Sequence, residues 1–192
     1  MRAMAFSLTN LGMVAQEQGD LIAARAYFDE CLTIRRELGD PRAIPFALNN
    51  LALVARQQRE YAAARAAYLE SLSRSQQLND TRGVLEALEG LAALAGVQGD
   101  LIRAAQLWGA VETLRTEEQM PRVEAERVRY ERDLAAVRAN TNPYAWEAAW
   151  STGMAMSLKQ TIVVASESDA PPTQRPAPPG IPDSPAPTPS PS

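Results

Sequence analysis

The chain reads LTNLGMVAQEQGDLIAARAYF at residues 8–28, and the pattern returns as LNNLALVARQQREYAAARAAY at 48–68 and LEGLAALAGVQGDLIRAAQLW at 88–108. Outward from these stretches, residues 3–42, 43–82 and 83–122 align without a gap. Between the first two copies 17 of the 40 positions are identical. A fixed period of this length predicts that the chain stacks three copies of one structural unit.

Each copy is predicted to form two helices. In the first copy, apolar residues recur at helical spacing from 6 to 15, and a Gly-Asp pair then ends the run. The second helix is expected over about residues 21–38. We expect Asp40 to cap the first helix of the next copy, with Pro41 in its first turn, and Asp80 to repeat that cap.

Small and large residues alternate in a way that predicts how the helices pack. An alanine lets the two helices of a hairpin approach closely, and an aromatic residue four positions later fills the gap to the neighbouring helix. These residues are Ala24, Ala64 and Ala104, followed by Phe28, Tyr68 and Trp108. Cys31 occupies a small-residue core position, so we expect a buried thiol that packs and does not react.

This signature resembles the tetratricopeptide repeat. The residues that carry it are Leu11, Gly12, Ala15, Ala24 and Phe28; Leu51, Ala52, Ala55, Ala64 and Tyr68; and Leu91, Ala92, Ala95, Ala104 and Trp108. The resemblance implies an all-α fold, a right-handed superhelix of antiparallel helix hairpins closed by C-terminal capping helices. The long 40-residue unit, with AAQLWGAVETLR at 104–115 and YAWEAAWSTGMAMSLKQTIVVA at 144–165, is similar to the C-terminal arrays of bacterial signal-transduction ATPases of MalT, LuxR or AfsR type.

The organisation expected from these patterns has three parts. Residues 1–122 hold the three repeats, 123–166 form capping helices over the end face of the third hairpin, and 167–192 form a disordered Pro-rich tail. Ten of the 14 prolines fall in the last 22 residues. Their Pro-x-x-Pro spacings allow this segment to be a ligand for an SH3-like domain, but a linker or tail is favoured.

Two or three capping helices are expected. A charged helix should run from Pro121 to Asn140 with an apolar stripe. Asn142-Pro143 should open a second helix that carries two tryptophans, and Ser157 should begin the last, with Gln160 completing a capping box.

Composition excludes several function classes. The chain has no histidine and one cysteine, which rules out histidine-dependent catalytic triads and an intrachain disulfide and leaves few zinc ligands. We therefore expect no enzyme, no metal site and no cofactor. The net charge of −4 argues against direct binding of nucleic acid. No stretch reads as a signal peptide or a membrane span, so a soluble cytoplasmic protein is expected.

The resemblance also implies where a partner binds. In tetratricopeptide arrays the first helix of each hairpin lines a concave groove, and matching positions here give a mixture of amides and apolar residues suited to a peptide. The candidate groove residues are Phe6, Asn10, Met13, Phe46, Asn49, Asn50, Leu53 and Arg56. Asn10 and Asn50 are equivalent and are expected to hold a peptide backbone; the alternative is that they bond to neighbouring helices.

The third copy departs from this ladder. Gly90 stands at the position of Asn10 and Asn50, and Glu86 and Glu89 make its groove acidic. With no histidine or phosphate loop nearby, we interpret the two carboxylates as a solvated face and not as a catalytic pair.

Two functions remain open after these exclusions. One is a protein-interaction scaffold, the sensor or partner-binding repeat region of a bacterial signalling or transcriptional regulator. The other is a regulatory repeat segment attached to a catalytic domain, such as an ATPase, nucleotide cyclase or kinase, that this sequence does not contain. The apolar residues Met4, Phe6, Leu8 and Leu11 of the first helix also predict self-association through the N-terminal end face.

Overall fold

The computed structural model describes residues 1–167, and every regular element in that range is an α-helix. The predicted Pro-rich tail therefore lies outside the described residues, except for Glu167. In chain order the helices are α1 (Arg2–Glu17), α2 (Leu21–Glu37), α3 (Ile44–Gln57), α4 (Tyr61–Gln77), α5 (Thr81–Val97), α6 (Leu101–Glu117), α7 (Glu124–Ala139), α8 (Pro143–Met154) and α9 (Leu158–Ser166). The predicted all-α class is confirmed.

The first six helices form three hairpins, α1 with α2, α3 with α4, and α5 with α6, and each hairpin packs on the next through α2 with α3 and α4 with α5. The predicted small and aromatic core positions are confirmed. Ala24, Ala64, Ala104 and Phe28 have no exposed surface, and Tyr68 and Trp108 are also buried.

Glycines make room for two of these rings. A Cβ on Gly12 would lie 2.6 Å from the ring of Phe28, and a Cβ on Gly90 would overlap the ring of Tyr68. Gly90 therefore leaves room for the ring of Tyr68. This contact accounts for a glycine at the position of Asn10 and Asn50.

Helix capping agrees with the sequence in part. Asp80 caps α5 by accepting from the backbone N–H of Gly83, as predicted, and Asp20 and Asp100 cap α2 and α6 in the same way. The predicted cap by Asp40 and the predicted place of Pro41 in the first turn of the helix are both wrong. Residues 41–43 first make a turn in which the Ala43 N–H donates to the main-chain oxygen of Asp40, so α3 begins only at Ile44.

The last two helices extend the stack beyond the third hairpin. Helix α8 packs on α6, as α3 packs on α2, and α9 packs on α5 and α6. Asn142 caps α8, whose Trp146 and Trp150 stack with ring centroids 5.5 Å apart. The predicted capping box of Ser157 and Gln160 at the start of α9 is confirmed.

Helix α7 differs from the prediction in its length and its place. It begins at Glu124, three residues after the predicted Pro121. It does not lie on the end of the third hairpin. It packs along α5 and α6 and reaches Arg56 on α3, so it lies on the side where α1, α3 and α5 carry the predicted groove residues. We call that side the groove face.

Gly153→Ala is expected to destabilise the protein, because α6 and α8 cross there without room for a side chain. An added Cβ would overlap the carbonyl oxygen of Gln106, which is backbone and cannot swing aside. Overpacking of this kind costs about 1–3 kcal/mol. Equilibrium unfolding in urea measures the loss. Ser151→Ala, an exposed position on the same helix, is the control and should unfold as the parent does.

Candidate functional site

The predicted groove residues fall into two sets in the structure. On α1, Phe6, Asn10 and Met13 are exposed, with Phe6 at 65% of its full surface. The second set lies on α3 and surrounds one cavity, and its members are Phe46, Asn49, Asn50, Leu53 and Arg56. Of these, Leu53 and Arg56 are buried.

The cavity lies between α3, α5 and α7 and has a volume of about 100 Å³. Four residues of α7 complete its lining: Glu126, Arg129, Tyr130 and Asp133. Ligand sites for cofactors and metabolites commonly have about 300–1,000 Å³. This cavity has room for one inserted side chain or a few water molecules.

Two ion pairs tie α7 to the groove face. Nη2 of Arg56 donates to Oδ2 of Asp133 at 2.7 Å, and both side chains are nearly buried. Arg82, in the first turn of α5, donates to Glu126 at 3.0 Å and to Glu86 at 2.8 Å. Arg56, the one cation among the predicted groove residues, is therefore already paired with Asp133.

The interpretation of Glu86 and Glu89 as a solvated face is wrong. Both side chains keep only 15% of their surface, because α7 and the segment before it cover them. Glu89 accepts two hydrogen bonds from Arg115, each 3.0 Å long, and lies 2.6 Å from the guanidinium of Arg122. The carboxylates are structural ion-pair partners in the described part of the chain.

Burial shifts two acidic groups at this site. Desolvation raises the pKa of Glu86, and the hydrogen bond from Arg82 opposes that rise. Desolvation likewise raises the pKa of the Tyr130 hydroxyl, helped by the negative charge of Glu112, to which Tyr130 donates at 3.3 Å. Both shifts follow from the packing of α7 against the third hairpin.

Tyr130 is the aromatic contact of α7 with the repeat core. Its ring meets Trp108 edge to face with centroids 6.3 Å apart, and the guanidinium of Arg122 lies 3.6 Å above it. Such aromatic and cation–π contacts prefer this geometry.

The asparagines differ in their surroundings. Nδ2 of Asn50 donates to the carbonyl oxygen of Phe46 in its own helix at 2.9 Å, not to a neighbouring helix, and its Oδ1 accepts no hydrogen bond from residues 1–167. The Asn49 amide lies close enough to Glu86 to favour the ionised carboxylate, but its two polar atoms are buried without completing a hydrogen bond. Asn49 therefore lies under the surface of the groove face, beside Glu86, and does not present its amide to solvent.

A comparison with protein families finds a match in the first two hairpins. The model described as tetratricopeptide repeat matches residues 7–39 and 47–81, which correspond to α1 with α2 and α3 with α4. The first two hairpins are similar to tetratricopeptide repeats. Repeats of this kind generally mediate protein–protein interaction and typically serve as scaffolds without catalysis. A search of curated proteins finds no match to the chain. Within residues 1–167 no helix has the length and apolar character needed to cross a membrane.

Sequence reasoning missed that α7 lies on the groove face of the repeats. Two signals were present. The groove positions of the third copy are reduced to Gly90, Ala93 and Gly96, and a Cβ on Gly96 would lie 2.5 Å from Cγ2 of Val137. The contact residues of α7 also share one helical face, at positions 126, 130, 133 and 137.

Proposed function

We propose that the chain is a protein-interaction scaffold that binds an extended or helical protein segment on the groove face of its first two tetratricopeptide repeats. The observation that carries the proposal is the exposed surface of α1 and α3 beside α7. Apolar side chains and amides alternate there, on the same side that already holds a polypeptide segment over the third hairpin. These residues are Phe6, Asn10, Met13, Phe46 and Asn50.

The chemistry of this surface favours a peptide. A peptide offers backbone polar groups to the amides and side chains to Phe6, Met13 and Phe46, whereas a phosphate backbone needs a density of cations. Arg129 on α7 lines the cavity and has no ion-pair partner among the described residues. An acidic residue of the bound segment would pair with it.

The test begins with a displayed library of random peptides selected on the full chain. Selected peptides should lose affinity for Phe6→Ala and Phe46→Ala, because each change removes exposed apolar surface at the proposed contact. Ile22→Ala is the matched control, since Ile22 is an exposed apolar residue on α2. Peptides that bind the two phenylalanine variants as well as the parent, or that need Ile22, would contradict the proposal.

Asn50→Ala should weaken binding of a selected peptide by about 1–3 kcal/mol, the cost of leaving a partner's polar group unpaired. The fold should change little, because the side chain bonds only to a carbonyl of its own helix that already belongs to the helical ladder. Isothermal calorimetry and thermal melting measure the two effects. Unchanged affinity with a clearly lower melting temperature would make Asn50 a structural residue.

A second proposal concerns the outer side of α1, which we propose pairs with the same surface of a second copy. Met4, Leu11 and Val14 are each 45–49% exposed there, whereas Leu8, also predicted for this face, is buried against Cys31 and Ile34. By the 40-residue period, the counterparts of Met4, Leu11 and Val14 in the second and third copies pack against the hairpin that precedes them. Those counterparts are Ile44, Leu51 and Val54, then Val84, Leu91 and Leu94. Since α8 and α9 cover the third hairpin, two first hairpins would meet symmetrically.

Sedimentation velocity over a range of concentrations tests this pairing. The parent chain should shift to a dimer as concentration rises, and Leu11→Glu should remain a monomer because it places a charge in the apolar contact. Val128→Glu, an exposed apolar position on α7, is the control and should dimerise as the parent does. A parent that stays monomeric at every concentration would contradict the pairing.

For the wider context, we propose a cytoplasmic signalling or transcriptional regulator of bacterial origin, with residues 1–122 as its three-repeat binding unit and no catalytic role of its own. The support is the 40-residue period and the resemblance of residues 104–115 and 144–165 to the ends of MalT-type arrays. The alternative is a repeat segment that regulates an attached catalytic domain. The coding DNA around this sequence distinguishes them, since a DNA-binding or a catalytic domain in frame supports one or the other.

A further inference from the structure

We propose that α7 is an internal ligand of the groove face, and that the third hairpin recognises a partner helix with the chemistry of α7 by exchanging it for α7. The partner helix would present a carboxylate, an aromatic ring, a second carboxylate and an aliphatic residue at the spacing of Glu126, Tyr130, Asp133 and Val137. This inference rests on the proposed function, because it takes the groove face to be the binding surface.

The apolar half of the recognition lies on α5 and α6. Val137 is the one residue of α7 that is buried, and it fits where Gly96 lacks a side chain. Tyr130 contacts Trp108 and lies under Arg122. Together they define a ring and an aliphatic group seven residues apart on one side of a helix.

The polar half consists of arginines that need carboxylates. Asp133 is the carboxylate partner of Arg56 within residues 1–167. Arg56 belongs to the second hairpin, whereas Gly96 and Trp108, which contact α7, belong to the third. Glu126 binds Arg82 at the other end of the helix. A helix that replaces α7 must supply a carboxylate at the position of Asp133, or it leaves Arg56 without its ion pair. A carboxylate at the position of Glu126 restores the second pair with Arg82, which otherwise keeps only Glu86 among the described residues.

The anchoring of α7 is weak for a helix of its length. One residue of α7 is buried, against ten in α5 of nearly equal length. The ion pairs that hold it add little net stability, because desolvation of the charges offsets their attraction. On its outer side, Arg127 pairs with Glu124 and Glu131 within the helix, so those contacts survive when the helix leaves.

The experiment uses a labelled synthetic peptide of residues 121–141 and the full chain. In the parent, the tethered α7 occupies the site and competes with the peptide. In Tyr130→Ala/Asp133→Ala the tethered copy binds weakly, so the peptide should bind about tenfold more tightly or better, as the fraction of open sites rises. Fluorescence anisotropy measures the binding. Val128→Ala/Glu131→Ala, on the outer face of α7, is the matched control and should resemble the parent.

Two outcomes of this experiment would overturn the inference. Equal affinity of the peptide for the parent and for Tyr130→Ala/Asp133→Ala would show that α7 does not compete for this site. A peptide that carries the same two changes and still binds the variant chain equally well would show that the site does not read the ring and the carboxylate.

Hydrogen exchange of the unaltered chain decides the matter if the double variant fails to fold. The amides of α7 should exchange by local opening about a hundredfold faster than those of α5 and α6. Equal protection of the three helices would overturn the inference, because α7 would then leave only on global unfolding. A library peptide that binds through Phe6 and Phe46 preserves the proposed function in that case, so the two failures are distinguishable.

Discussion

Phe28→Ala is expected to lower the free energy of unfolding by about 3–5 kcal/mol, the range for removing a fully buried aromatic side chain. Phe28 has no exposed surface and packs directly on Gly12, where even a methyl group would lie within 2.8 Å of three ring atoms. Phe28 also packs with Ala15, Ala24 and Val54, so its removal leaves a cavity between α1, α2 and α3.

Phe6→Ala is the matched control for this change. It deletes the same side chain from the same hairpin, but Phe6 is 65% exposed. We expect its free energy of unfolding to stay within about 0.5 kcal/mol of the parent. Equilibrium unfolding in urea, followed by circular dichroism, measures both. Similar losses for the two variants would contradict the assignment of Phe28 to the core.

Glu89→Ala is expected to lower the free energy of unfolding by about 3–5 kcal/mol, because it leaves the buried charge of Arg115 without an ion-pair partner. Glu89 accepts from Arg115 and lies against Arg122, and both guanidinium groups are nearly buried. Arg115 keeps only its bond to the carbonyl oxygen of Met120, and Arg122 keeps the more exposed Glu112.

Glu70→Ala gives the comparison on the surface. Glu70 also pairs with two arginines, Arg36 and Arg74, but these groups are about half exposed. Surface pairs contribute about 0–1 kcal/mol, so this variant should unfold near the parent. Chemical denaturation at neutral pH measures both variants. A small loss for Glu89→Ala, equal to that of Glu70→Ala, would contradict the buried network.

The repeat core could be predicted from the sequence because the period places equivalent residues in equivalent surroundings. The alanine and the aromatic residue each recur three times, so the same contact is predicted three times. Ala64 and Tyr68 are buried as the pattern requires. The start of a helix could be predicted where a single side chain caps it, as at Asp80. The prediction failed at Asp40, where a main-chain turn competed for the same N–H group.

The site was predicted less completely because its decisive contacts join distant residues outside the repeat period. The charged helix and its stripe were expected, but Arg56 and Asp133 are 77 residues apart, and no periodicity relates them. Charge alone does not choose a partner among the many carboxylates of the chain. The reduction of Leu53 to Ala93 and of Arg56 to Gly96 in the third copy matches the space that α7 takes.

The central claim is that the groove face binds a protein segment, and hydrogen exchange with and without a library-selected peptide tests it most directly. We predict that the bound peptide slows exchange in α1 and α3, around Phe6, Asn50 and their neighbours, and leaves α2 and α4 unchanged. Slower exchange confined to α2 and α4, with α1 and α3 unaffected, would contradict it.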